Sequence, residues 1–183
     1  MRAITRTRHY IRALADARRH RTDLLGWLIR RPWLLLGTGT YETALLLSNR
    51  LDPRLKELAE LKTAGLIGCE FCLDIGSALA HSSGLTERQI TDLPTHTTSD
   101  AYTDLEKLVL TLAETMTRTP AAALELEDLR TRLRATLSAT QYAELAATIA
   151  WENQRARLNQ ALGVRPTGMA DGMTCALPQR SGN

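Results

Sequence analysis

Aromatic side chains are scarce in this chain of 183 residues: three Trp, four Tyr and a single Phe, 4% in all. Beside abundant Ala and Leu, that scarcity argues against sheets, whose strands draw on aromatic and β-branched residues, and for helices. Cysteine is scarce as well. Three is an odd count with no framework spacing, which excludes a disulfide-stapled secreted scaffold and makes a reducing cytosol the expected compartment. Long apolar runs are missing. A bilayer span takes about 20 apolar residues, whereas Leu24–Ile29 and Trp33–Leu36 are split by Arg30, Arg31 and Pro32. A secretory signal needs an apolar stretch of about 7–15 residues ahead of a small-residue cleavage site, and none is recognisable. The Arg-rich start is read as folded sequence rather than a transit peptide, so the expected location is cytoplasmic. No Gly-rich phosphate loop, internal repeat or low-complexity tract occurs, and Ser/His/Asp hydrolysis has no local support.

The charge is uneven. Net +3 overall, the chain carries nine Arg against Asp16 and Asp23 in residues 1–31, a local +7, and a net −4 in the remainder. Such a start can grip nucleic acid or anionic lipid. It is read instead as the Arg-bearing outer face of an amphipathic helix, since only Tyr10 interleaves it and no base-reading motif follows.

What is present is helical punctuation. An amphipathic stretch covers about 3–20, and Asp23 heads a short helix over Leu24–Ile29. After Pro32, Gly37 and Gly39, Tyr41–Asn49 reads as a helix. Asp52 and Pro53 cap and open the next, which ends near Gly65. A helix opened by Cys69-Glu70-Phe71-Cys72 closes at Gly84. Thr86-x-x-Gln89 is a capping box for a short helix before Pro94. Ala101–Thr117 is helical up to the Pro120 break, Leu124–Leu133 is helical, and Ser138-x-x-Gln141 caps a long helix to Gly163. The expected architecture is all-α, with about seven or eight helices. A 44% hydrophobic content lets residues 1–165 form one helical domain. Residues 166–183, with Pro166 and Pro178, are a tail or a draped loop.

The Cys-x-x-Cys pair carries the chemistry. Thiols one helical turn apart can close a disulfide, and such a pair serves redox work or metal binding. Zinc needs four ligands, or three plus water. The further thiol, Cys175, lies in the tail, and His81 and His96 have no ligand spacing, so no metal is expected. Cys69 falls at the helix start, where free N–H groups and the dipole favour a thiolate. At about 100° per residue, Cys72, Gly76, Leu79 and Ser83 share a core-facing stripe. On the helix from Pro53, Lys56 and Glu60 form the solvent face. Glu57 falls inside an apolar arc with Leu61 and Ala64, either snorkelling at its edge or serving a buried site.

The stretch Leu51-Asp52-Pro53-Arg54-Leu55, Glu57, and Gly68-Cys69-Glu70-Phe71-Cys72 resembles the carboxymuconolactone decarboxylase superfamily, in particular its alkylhydroperoxidase D (AhpD)-like branch. There a Glu precedes the first Cys by twelve positions, as Glu57 precedes Cys69. Trp151-Glu152-Asn153, Arg157-Leu158-Asn159 and Gly163 resemble the family's closing helix. The resemblance implies an all-α fold, a homo-oligomer and a thiol oxidoreductase reducing peroxides or disulfides. Its catalytic set would be Cys69, Cys72 and Glu57, with Phe71 and Gly76 lining the pocket.

The chain departs from that pattern at two imidazoles. The redox branch usually places a His four residues after the second Cys, where Gly76 stands, and some members place one before it, where Phe71 stands. His81 falls across the helix from Cys72, so peroxide turnover is expected to be slow. A Gly at 76 leaves space for a substrate or for close approach of another backbone. The alternative functions are a lyase or isomerase step on a small organic molecule in that space, and a non-catalytic oligomeric scaffold. Cys175 is read as a buried or loose thiol, or as a resolving thiol carried back over the site by the tail. Glu152, Asn153, Arg157 and Asn159 are read as a structural network or subunit contact. No cofactor is expected. The expected partners are further copies of the chain and a small-molecule substrate or thiol/disulfide reductant, with neither membrane nor nucleic acid among them.

Overall fold

In a computed structural model, the structure describes residues 22–119, 123–176 and 178. The expected helix over 3–20 and the Pro120 break lie outside these. The described residues form eight α-helices and a short 3₁₀ turn, Leu93–Thr95, with no strand among them. The helices are α1 (Thr22–Leu28), α2 (Pro32–Leu47), α3 (Pro53–Ile67), α4 (Glu70–Ser82), α5 (Glu87–Thr91), α6 (Asp104–Thr117), α7 (Ala123–Arg134) and α8 (Ala139–Ala161). The all-α expectation holds.

Local chemistry explains most boundaries. The Asp52 carboxylate accepts the Arg54 N–H at 3.0 Å, and Pro53 takes the first helical position of α3. Capping boxes form at Thr86 and Ser138 as expected. A third, Thr103-x-x-Glu106, starts α6 at Asp104 rather than at Ala101. α2 begins at Pro32, nine residues before the expected start. Pro costs nothing at the first helical position, and Gly37 and Gly39 weaken the helix by about 1 kcal/mol each without ending it. Asp23 lies inside the first turn of α1 and pairs with Arg165 at 2.9 Å.

α3 is the axis of the molecule, packed by α4, α6 and α8. One side, Leu58, Leu61 and Ala64, meets Cys69, Cys72, Leu73 and Leu110. Another, Leu55 and Ala59, meets Val109, Leu112, Leu133, Leu145 and Ile149. All eleven residues from Leu55 to Gly65 are buried. The expected solvent face of Lys56 and Glu60 therefore does not exist: they are 1% and 8% exposed. Rotational bookkeeping sends charges outward, but a helix covered on three sides has no outward direction. Its charges are paired instead. Lys56 bridges Glu144 and donates to the Ser48 carbonyl at 2.7 Å. Lys62 meets Glu114 at 3.0 Å, and Glu60 lies 3.6 Å from Arg155.

Candidate active site

α3 and α4 form a tight hairpin. Gly68 adopts a left-handed conformation (φ 80°), and the N–H groups of Gly68 and Cys69 both bond to the Ala64 carbonyl, at 2.9 and 3.0 Å. The turn delivers Cys69 to the N-cap of α4. Its Sγ accepts the Cys72 N–H at 3.2 Å, and the two cysteines form a disulfide with Cα atoms 5.3 Å apart. Both are buried, 3% and 8% exposed, and half-buried Ile67 and Phe71 pack against the same cluster.

Two contacts set the hairpin register: the Arg54 guanidinium reaches the Gly84 carbonyl, and Leu61 packs on Gly76. A Cβ at 76 would lie 2.9 Å from Leu61 Cδ2. The glycine thus accommodates Leu61 of the facing helix, and the space proposed for a substrate there is filled by that side chain. Glu57 is 1% exposed, buried rather than snorkelling.

Three of the four polar residues of the closing helix hold structure. Asn153 donates to Thr117 Oγ1 at 3.0 Å, and Arg157 to the Thr117 carbonyl at 3.2 Å, fastening α8 to the end of α6. Glu152 is paired with Arg155, which also bonds Glu42 at 2.9 Å. Burial pushes the Glu152 carboxyl up to about 7, opposed by Arg155 and reinforced by Glu60 and Glu42. Asn159 differs: its side-chain N–H meets Cys72 Sγ at 3.6 Å. Sequence reasoning placed it in the structural set. The signal that could have separated it was its position on the buried face of α8, three residues beyond Ala156 and seven beyond Glu152.

The tail drapes along α4, and Asp74 holds it. One carboxylate oxygen accepts from Thr167 N (2.7 Å), Thr167 Oγ1 (2.8 Å), Gly168 N (2.9 Å) and Met169 N (3.2 Å), and the other from Ala170 N (2.9 Å). Burial alone would raise this carboxyl, but the hydrogen bonds from Ala170, Thr167 and Met169 outweigh it and hold it below its usual value. Further along, His81 Nε2 meets the Thr174 carbonyl at 2.9 Å, and Ala176 N donates to Ser77 Oγ at 3.0 Å. Ala176 packs into the cluster that holds both disulfide cysteines. Cys175 is beside Ser77 Oγ at 3.5 Å and the Leu73 carbonyl at 3.7 Å, on a neighbouring face of α4. His96, buried near Lys62, bonds Thr111 at 3.3 Å. Among the described residues no three His, Cys, Asp or Glu side chains group to hold a metal ion, and no helix is long and apolar enough to cross a membrane.

Residues 33–115, from α2 to near the end of α6, match the carboxymuconolactone decarboxylase family. The chain is 32% identical over 131 residues to the uncharacterized protein YnjA of Escherichia coli K12, spanning 71% of this chain and 68% of that one. It is 31% identical over 110 residues to the uncharacterized protein YdfG of Bacillus subtilis 168, 60% of this chain and 74% of the relative. In fold it resembles the crystal structure of ATU0492 from Agrobacterium tumefaciens, a protein of unknown function proposed to be the antioxidant-defence protein AhpD. The TM-score is 0.67 at 22% identity, covering 76% of this chain and 94% of that one. An all-α chain with the Cys pair at the head of a helix in the α3–α4 hairpin, and with these matches, belongs to the carboxymuconolactone decarboxylase family.

Proposed function

We propose that the protein is a thiol oxidoreductase that cycles Cys69 and Cys72 between disulfide and dithiol, favouring disulfide exchange over peroxide turnover. One observation carries this reading: the Cys69 sulfur caps α4 and accepts the Cys72 N–H, which stabilises a thiolate when the pair is reduced. In the oxidative half, the Cys69 thiolate attacks a substrate disulfide, one substrate sulfur leaves with the electron pair, and the Cys72 thiolate displaces the other. The substrate gains two electrons and the protein disulfide forms. In the reductive half, an external thiolate attacks Cys69 Sγ, Cys72 departs as thiolate, and a second external thiolate releases Cys69, leaving the reductant as its disulfide.

Peroxide adds a demand for a proton on the departing oxygen. The family's imidazole after the second cysteine would meet it, but here Leu61 fills the space beside Gly76. Losing such general acid–base help typically costs about 10²–10⁴-fold.

The test is a thiol titration followed by turnover of the Cys72→Ser protein with a small organic disulfide and a dithiol reductant. The wild type should show a reversible two-electron couple, and the variant should stall at a mixed disulfide on Cys69. Full turnover by the variant would overturn the proposal.

A further inference from the structure

Each sulfur of the disulfide receives one hydrogen-bond donor. Cys69 takes a backbone N–H; Cys72 takes the side-chain amide of Asn159, which is 1% exposed. The orientation of that amide is fixed by chemistry, because a disulfide sulfur carries no hydrogen and only the N–H₂ end can make the contact. Asn159 cannot easily swing away. The next residue, Gln160, donates to the Ile67 carbonyl at 3.1 Å, and the Asn159 carbonyl accepts from Val164 at 3.0 Å where the chain leaves α8. The amide oxygen of Asn159 is buried with no hydrogen-bond partner among the described residues. A buried acceptor left over costs free energy.

We infer that Asn159 is a catalytic residue of the Cys69–Cys72 cycle. Its N–H stabilises Cys72 as the thiolate that departs when the disulfide is opened at Cys69. The inference rests on the thiol-oxidoreductase reading and deepens it. Bond changes are those of exchange: the Cys69–Cys72 bond breaks, a bond from Cys69 to the attacking sulfur forms, and the electron pair goes to Cys72, where the amide receives it. In a chain whose imidazole positions are Phe71 and Gly76, this amide is a polar side chain that meets the leaving sulfur.

The test uses full-length protein carrying Cys69→Ser and Cys175→Ser, so that Cys72 is the remaining thiol, and reads its ionisation by thiolate ultraviolet absorbance against pH. The charged side chains on the surrounding elements, Glu57, Glu60 and Lys62 on α3, Glu70 and Asp74 on α4, and Glu152 and Arg155 on α8, are common to all variants. Asn159→Leu should raise the midpoint by about one pH unit, a tenfold fall in the ionisation constant. Asn159→Asp, of the same shape, should raise it further, because its carboxylate repels the thiolate. In the three-cysteine protein both changes should make the disulfide harder to reduce, with a more negative potential.

A structural role alone would lower thermal stability and leave both midpoint and potential unmoved, and that result overturns the inference. If Asn159→Leu does not fold by circular dichroism, Asn159→Asp decides: an unchanged midpoint rejects the role. A wild type with no reversible couple would reject the function itself, whereas a normal couple that ignores Asn159 rejects only this step.

Discussion

Replacing Asp74 with Asn should loosen the tail and open the disulfide to solvent. The wild-type carboxylate takes five hydrogen bonds from residues 167–170. Each hydrogen bond to a charged group is worth about 1.5–3 kcal/mol, but the five share two oxygens and do not add. An Asn keeps one acceptor, loses the charge and turns its own N–H₂ toward donors. Tail detachment caps the loss, because the freed N–H groups then find water. A cost of about 2–4 kcal/mol follows, equivalent to roughly 10²-fold faster exchange of the 167–170 amides if they open with the tail. Because Ala176 packs in the cluster with Cys69 and Cys72, the disulfide should also react faster with a small dithiol. The pH dependence has a definite sign. The folded carboxyl titrates below its ordinary value, with burial opposing and the Ala170, Thr167 and Met169 hydrogen bonds prevailing. Its contribution is full above the unfolded pKa of about 3.9 and is lost as pH falls through the lower folded value. Wild-type tail protection should therefore fail in acid, while the Asn variant should show no such step. Unchanged amide exchange in the variant at neutral pH would refute the reasoning.

Gly76→His should not restore peroxidase turnover, because its Cβ meets Leu61, and it should cost about 1–3 kcal/mol in denaturant unfolding. Combined with Leu61→Ala, which vacates that space, it should raise turnover, and a large gain from Gly76→His alone would contradict the packing. A second copy of the chain is proposed to cover the apolar face of α1, α2 and the turn between them, where Leu25, Trp27, Ile29, Trp33, Leu34 and Leu36 are exposed. The two indoles alone expose on the order of 300 Å², so this face exceeds what monomers usually leave in water. Sedimentation should show an oligomer that Trp33→Asp with Leu36→Asp breaks down, and a monomeric wild type would mean that the chain covers this face itself.

The parts of the fold that sequence makes legible are those governed by neighbours in the chain. Asp52-Pro53, Thr86-x-x-Gln89 and Ser138-x-x-Gln141 act within one turn, and the Cys pair needs only helical spacing, so all four appear where the residues imply them. Thr103-x-x-Glu106 is equally local, and its cap starts α6 three residues beyond Ala101. Pro32 and two glycines read as breaks, although a proline at the first helical position is permissive and an exposed glycine merely weak. Long-range effects stayed hidden. Nothing within a turn of Asp74 announces that its partners lie some ninety residues away, and nothing near Asn159 announces a sulfur 87 positions earlier.

The charges of α3 show why the rest of the site resists a sequence reading. Lys56 and Glu60 look like the polar face of an amphipathic helix, yet they, Glu57 and Lys62 are all buried. Burying an ion costs several kcal/mol unless a partner repays it, so each such charge demands a particular residue on a particular neighbour. Glu144 on α8 answers Lys56 while also taking the backbone N–H groups of Arg50 and Leu51, Glu114 on α6 answers Lys62, and Arg155 on α8 answers Glu60. An apolar α3 could slide by a turn against α6 and α8 at modest cost, whereas this one would strand several ions. The pairs therefore fix where α3 sits along α8. Since α4 is tied to α3 by a two-residue turn, they also fix where Cys72 meets Asn159. The chemistry of the disulfide is set from the far side of the helix it packs against.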